Sequence, residues 1–358
     1  MNSTAPIASR LAALLAVLVG VAAGPPAAVA LQQGTPSAPL FATDEPLELT
    51  LAGDLKPIFK DRSDDRPYRP ARLTYLDAND DTVSLDIGVK TRGFYRRKYL
   101  DCDVPPLRLN VKKKQVENTV FAGQDKLKLV THCQNGVDAF EQYMLQEYLI
   151  YKTYNLLTDN SFRVRLVRIT YTDTERNRRP VTKYGFLIED EDRLAQRLGG
   201  RNLETGAIHQ EATDLENATL LAVFQYMMGN TDWSVPAHHN IKFVYFNPGV
   251  PPLSIPYDFD MAGLINTPYA EPDPRLGIRS VRERLFRGYC RTKEEFTAVF
   301  TQFNAQQETI YALYQNFPFL ENKHKKRSIK YFDDFYKTIN MPRTVRREFL
   351  AACLNQSK

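Results

Sequence analysis

Between Leu47 and Val130 the chain alternates apolar and polar residues in short runs, LELTLAG, ARLTYLD, VSLDIGVKTRG, PLRLNV and KLKLV, separated by Asp, Asn, Pro and Gly clusters. A period of two buries one face of a strand, and turn residues at this spacing join sequential strands antiparallel. An all-helical first half is thereby excluded. The period then changes: Phe140, Met144, Leu145, Tyr148, Leu149 and Tyr151 recur at three and four, which predicts an amphipathic helix over Val137–Leu157. Two further strands, Phe162–Tyr171 and Thr182–Ile188, are joined by the charged hairpin loop TDTERNRRP.

After Glu189 the character shifts. Asp214 is placed as the N-cap of a helix running to Met228, with Leu220, Leu221, Val223, Phe224 and Met227 toward the core. Short strands at Ile241–Phe246 and Leu253–Tyr257 enclose a Pro-Gly turn, and the rest is mostly helical. Thr292 and Glu295 form a capping box that opens a helix through Phe296, Val299, Phe300, Phe303, Ile310 and Leu313. The element order predicts an α+β fold of bilobal, protein-kinase-like architecture. Its antiparallel-sheet-rich N-lobe spans residues 45–189, and its mainly helical C-lobe, with catalytic-type loops, spans 190–358. A chain of 358 residues with 43% hydrophobic content, 20 Phe and 19 Tyr has ample material for such a core, and disorder or fibre is excluded.

At the N-terminus Arg10 precedes the apolar run Leu11–Ala23, followed by Pro25-Pro26 and Ala28-Val29-Ala30. This order predicts a secretory signal peptide over residues 1–30, cleaved near Ala30, because the run is shorter than the ~20 residues a bilayer-spanning helix needs. Residues 31–44, LQQGTPSAPLFATD, read as a flexible leader. Export to a periplasmic or extracellular space permits disulfides. Of the three pairings open to four cysteines, Cys102–Cys133 and Cys290–Cys353 are favoured, since the first two flank one strand-rich segment and the last two bracket the C-terminal helices. No later stretch is long enough to span a membrane. The net charge of +5 is mild and dispersed, which argues against nucleic acid as a partner. The basic runs Lys112–Lys114 and Lys323–Arg327 fit a solvated surface.

The densest polar constellation begins where the Asp214–Met228 helix ends. It reads Gly229-Asn-Thr-Asp232-Trp233-Ser-Val-Pro-Ala-His238-His239-Asn240, then the hairpin, then Tyr257-Asp258-Phe259-Asp260-Met-Ala-Gly263. Phosphoryl transfer needs a carboxylate beside the acceptor hydroxyl and hard oxygen ligands that hold a divalent ion against phosphate. Asp232 fits the first role. Asn240 and Asp258 fit the second, with Asp260 as a further carboxylate for the metal, and their oxygens suit Mg²⁺ or Mn²⁺ rather than zinc.

The motifs GNTD, HN and PYDFD, in this order and around a hairpin, resemble the catalytic region of the CotH-like (spore coat H-type) atypical kinases, whose pattern runs G-N-x-D, H-N, P-[WY]-D-x-D. Specific matching covers Gly229 to Gly263; Thr91-Arg92-Gly93 and Lys126–Thr131 extend it loosely upstream. The resemblance implies a bilobal kinase-like fold, ATP with a divalent metal, and transfer of the γ-phosphoryl group to a hydroxyl of a protein substrate. The Ser-rich turn and Lys-Lys of the family's R-G segment are replaced here by Phe-Tyr-Arg-Arg-Lys. The phosphate-contacting base is therefore open among Arg92, Arg97, Lys98, Arg108 and Lys128, with Arg92 and Lys128 first because they sit at predicted strand ends. Glu147 and Glu189 are the candidate acidic partners.

Blander readings stand beside these. Asx residues fill turns for local reasons, so Asp232, Asp258 and Asp260 also suit loop capping. Trp233, the only tryptophan, suits either a nucleotide pocket or a core anchor. Zinc at His238-His239 lacks matching His/Cys spacing, and His132-Cys133 is better used by a disulfide than as a nucleophilic pair. A catalytically inactive envelope or binding protein, and transfer of AMP from the same nucleotide, are the alternatives to kinase activity.

Overall fold

A computed structural model describes residues 1–2, 38–203 and 206–354. The chain divides into two units, residues 1–33 and 34–358. All but the first two residues of the expected signal peptide, and most of the expected leader, lie outside the described residues. The end of that leader is ordered: Pro39–Phe41 form one 3₁₀ turn, and Leu40 is fully buried.

Seven strands close into a barrel. They are β1 (Leu47–Gly53), β2 (Arg69–Leu76), β3 (Thr82–Thr91), β4 (Leu107–Asn110), β5 (Lys126–Val130), β6 (Val164–Asp173) and β7 (Val181–Ile188). Their order around the barrel is β1-β2-β3-β4-β5-β7-β6. All neighbours are antiparallel except β1 and β6, which pair parallel from Leu47↔Val167 to Gly53↔Asp173. Alternate residues point inward, so Leu49, Leu73, Ile87, Leu109, Leu129 and Ile169 fill the interior as one apolar cluster.

This architecture corrects the expected one. A bilobal kinase-like fold would place a sheet-rich lobe before residue 189 and a separate helical lobe after it, whereas the structure is a closed, mixed barrel with helices. Closure comes from the β1–β6 seam, which leaves no sheet edge. Nor does the core divide at Glu189. A second apolar cluster runs from the outward-facing Val130, Leu166, Phe186 and Ile188 of the barrel through the helices to Phe349.

The helices are α1 (Leu55–Phe59), α2 (Tyr95–Lys98), α3 (Lys113–Val116), α4 (Asp138–Leu157), α5 (Glu191–Arg197), α6 (Leu215–Met228), α7 (Lys293–Ala305), α8 (Gln307–Asn316), α9 (Asn322–Ile339) and α10 (Pro342–Val345). Asp214 caps α6 by accepting from the Asn217 amide at 2.8 Å, and Gly229 ends it in the left-handed region at φ 63°. The predicted capping box opens α7, with Thr292 and Glu295 bonded reciprocally. The expected single helix beyond it is two, broken at Gln306. Strands β8 (Ile241–Val244) and β9 (Leu253–Pro256) form the predicted hairpin.

Both favoured cysteine pairings are formed, Cys102–Cys133 and Cys290–Cys353. Two disulfides fit a secreted protein. Among the described residues no helix is long and apolar enough to cross a membrane.

Candidate functional site

The end of α6 and the open end of the β8–β9 hairpin assemble the site. Ile241 pairs with Pro256, and just beyond that pair the Tyr257 amide donates to the Asn240 carbonyl at 3.1 Å. This cross-strand bond brings Asn240 and Asp258 to the same end of the hairpin. Both adopt positive φ, 54° and 62°, in the left-handed region that Asn and Asp tolerate better than most side chains. Phe259, fully buried between Tyr151 of α4 and Phe224 of α6, anchors the segment between the two aspartates. Burying a Phe is worth roughly 1.5–3 kcal/mol, which offsets part of the backbone entropy of ordering this segment. The Asp258 amide also donates to the Tyr151 hydroxyl at 2.8 Å.

Asp232 is held from three sides. Its amide donates to the Asn230 side chain at 3.0 Å, the Asn240 amide nitrogen donates to its Oδ2 at 3.0 Å, and its Oδ1 lies 2.7 Å from His239 Nε2. The bond to Asp232 raises the proton affinity of His239. Arg287 fixes the loop from below by donating to the carbonyls of Thr231 and Trp233. Asp232, Trp233, His239, Glu271, Arg275 and Arg287 contribute to the wall of a pocket of about 650 Å³. Trp233 is 3% exposed within the main apolar cluster, as a core anchor would be, and it also lines this pocket.

Asp260 is nearly buried, and its Oδ2 meets Arg96 Nε at 3.2 Å and the Tyr269 hydroxyl at 3.2 Å. The same guanidinium reaches Glu147 of α4 at 3.3 Å and Asp258 at 3.8 Å. Three carboxylates thus share one arginine. Burial and the neighbouring aspartates hold the Glu147 carboxyl well above the usual range, and burial does the same for Asp260 against the pull of Arg96.

On the barrel side, Lys128 of β5 points away from the barrel interior and pairs with Glu191 at 2.5 Å, above the Tyr257 ring at 4.8 Å. Burial lowers its pKa to about 8, while the ammonium groups of Lys128 and Lys242 help lower Glu191 to about 2. Half-buried Arg92 is within electrostatic reach of Lys128 and Glu147. The expected acidic partners are elsewhere engaged. Glu189 pairs with Arg197 through both carboxylate oxygens at 2.9 Å, Glu147 pairs with Arg96, and Glu191 is the residue at Lys128. Arg97 is bound to Asp64 and to the Gly93 carbonyl, Lys98 is bound to Asp64, and Arg108 lies 4.0 Å from Asp190.

The oxygen donors differ in their fitness for a divalent ion. Asp258 is one-third exposed, and the Asn240 amide nitrogen is used by Asp232, so its carbonyl oxygen is what remains to face a cation. These are hard donors of the kind Mg²⁺ and Mn²⁺ take, and Mg²⁺ commonly has only one or two protein carboxylates. Asp260 fits less well, because Arg96 and Tyr269 both take its Oδ2 and its side chain is only 13% exposed. Among the described residues, no three His, Cys, Asp or Glu side chains gather as a metal cage.

Sequence reasoning thus foresees Asp232, Asn240 and Asp258 as neighbours but misses Arg96 and Glu191. Arg96 lies in the run Phe94-Tyr95-Arg96-Arg97-Lys98, where only the fold separates one base from the next. Compared with known proteins, the chain matches no family model and no curated protein.

Proposed function

We propose that this protein is an exported ATP-dependent phosphotransferase that moves the γ-phosphoryl group to a hydroxyl on a protein substrate. The observation that carries the reading is the convergence of Asp232, Asn240 and Asp258 at one end of a hairpin, with Asp232 on the wall of a pocket of about 650 Å³ and basic Lys128 over the ring of Tyr257, the neighbour of Asp258. Positioning and electrostatics supply most of phosphoryl-transfer catalysis, so this residue set is sufficient in kind.

Asp232 orients the acceptor hydroxyl and takes its proton as the oxygen attacks phosphorus. The bond between the γ-phosphorus and the bridging oxygen breaks, and ADP leaves with the electron pair. Asn240 and Asp258 would hold the divalent ion, which when bound neutralises phosphate charge. Lys128 and Arg92 face the phosphates, and Trp233 lines the acceptor side of the pocket. The reading rests on the site and its motifs, which resemble those of the CotH-like kinases, and not on the architecture. Signal-peptide cleavage near Ala30 and release to a periplasmic or extracellular space complete it.

A second reading, an inactive binding protein, is favoured by one observation: Arg96 and Glu191 already neutralise the charges of Asp260 and Lys128. Incubation of the purified protein and an acceptor protein with ATP labelled at either the γ- or the α-phosphate, with Mg²⁺ or Mn²⁺, separates the cases. Metal-dependent γ-label on protein supports the proposal. α-Label indicates AMP transfer, and no label with either supports the binding protein.

A further inference from the structure

Arg96 is held by three carboxylates near the site. Its guanidinium is buried, at 9% exposure, and it makes contacts at 3.2 Å to Asp260, 3.3 Å to Glu147 and 3.8 Å to Asp258. It stands on α2, a four-residue helix whose other buried base, Arg97, is tied to the carbonyls of Arg62, Ser63 and Gly93. Arg97 therefore fixes the backbone from which Arg96 reaches the carboxylates. Sites that bind nucleotide phosphates with two divalent ions need carboxylate oxygens for both. Here the second carboxylate of the Asp258-Phe259-Asp260 segment is occupied by a planar, permanently charged group with fixed donors.

We propose that Arg96 is a built-in cation that takes the place of a second divalent ion, with Asp260 serving as its anchor, not as a metal ligand. The site then accepts a single ion, at Asp258 and Asn240. This inference rests on the proposed metal role of Asp258 and Asn240. A guanidinium has three consequences that an ion does not: it cannot be stripped by chelators, it does not exchange, and its N–H groups impose direction on any phosphate oxygen that approaches Asp258.

The test is direct binding of Mn²⁺ alone, read as loss of the free-ion paramagnetic signal, with no catalytic readout. The wild-type protein is expected to bind one Mn²⁺ at the site, Arg96→Gln to bind one more than wild type, and Arg96→Gln with Asp260→Asn to lose that extra ion; no ion in the wild type would remove the metal role of Asp258 and Asn240 and the proposal with it. Two ions in the wild type, or no gain in folded Arg96→Gln, would overturn the proposal. Should Arg96→Gln not fold, Asp260→Asn with Arg96 intact decides. It is expected to leave wild-type Mn²⁺ binding within about threefold, and a tenfold or greater loss, or any new ion, overturns the proposal. Failure of phosphoryl transfer is separate, since it appears as absence of γ-label whatever the ion count.

Discussion

Arg96 Nε lies 3.2 Å from Asp260 Oδ2, and through this ion pair the short α2 segment after β3 is joined to the loop after β9. A guanidinium already inside the carboxylate group sets the electrostatics of the whole site. Glu147 and Asp258 share the same charge, at 3.3 and 3.8 Å.

A pH dependence follows. The Glu147 carboxyl is held above its unfolded-state pKa by burial and by Asp258 and Asp260. Between the two values the folded protein binds more protons than the unfolded one, so stability falls as pH rises upward from the ordinary carboxylate range. Glu147→Gln removes that titration while keeping the shape. We expect melting curves between pH 5 and pH 8 to show the wild type losing stability and the variant losing less, at roughly 1.4 kcal/mol for each tenfold change in proton affinity. Parallel curves would refute the assignment.

Lys128→Met separates binding from folding. Burial lowers the Lys128 pKa to about 8, so the unfolded state holds the extra proton from there to the ordinary lysine range, and stability contributed by this group rises with pH through that window. Glu191 keeps a second partner, Lys242 at 3.1 Å, when Lys128 is removed. Stability at pH 7 should therefore change by no more than ~1 kcal/mol, while nucleotide affinity falls roughly tenfold or more through loss of a phosphate contact. Titration calorimetry with ATP and Mg²⁺ checks the second part, and unchanged affinity would remove Lys128 from the site.

The disulfides should matter to stability in proportion to the loops they close. Cys102–Cys133 closes a sequence separation of 31 residues and Cys290–Cys353 one of 63. Chain entropy assigns each about 4 kcal/mol, slightly more to the second. Replacing either pair by serines should lower the denaturation midpoint accordingly. The Cys102–Cys133 variant should also weaken ligand binding, because Val104 is hydrogen-bonded to Cys133 beside the segment that carries Arg96.

Local chemistry was legible in the sequence and long-range closure was not. The Asp214 cap, the Thr292–Glu295 box, the β8–β9 hairpin and both cysteine pairs are signalled by residues close in sequence or by simple pairing. Alternation in β1 says which face is buried but not that Leu47 will lie beside Val167, so the barrel cannot be told from an open sheet. The same holds at the site. Asp232, Asn240 and Asp258 flank one hairpin and could be found together, whereas Arg96 reaches Asp258 from α2, far away in sequence. Glu191 was hidden at the first residue of α5, two residues beyond the Glu189 that sequence reasoning selects, where the helix start redirects the side chains.

The role of Asp232 is tested by γ-phosphoryl transfer by wild type and Asp232→Asn under identical ATP and metal. Asp232 is 41% exposed at its side chain, so the substitution should leave the melting temperature nearly unchanged. The wild type is expected to show metal-dependent incorporation and the variant a loss of roughly 10²–10⁴-fold, the range for removal of a positioned proton acceptor. Equal incorporation by folded Asp232→Asn, or none by the wild type with any metal, would contradict that role.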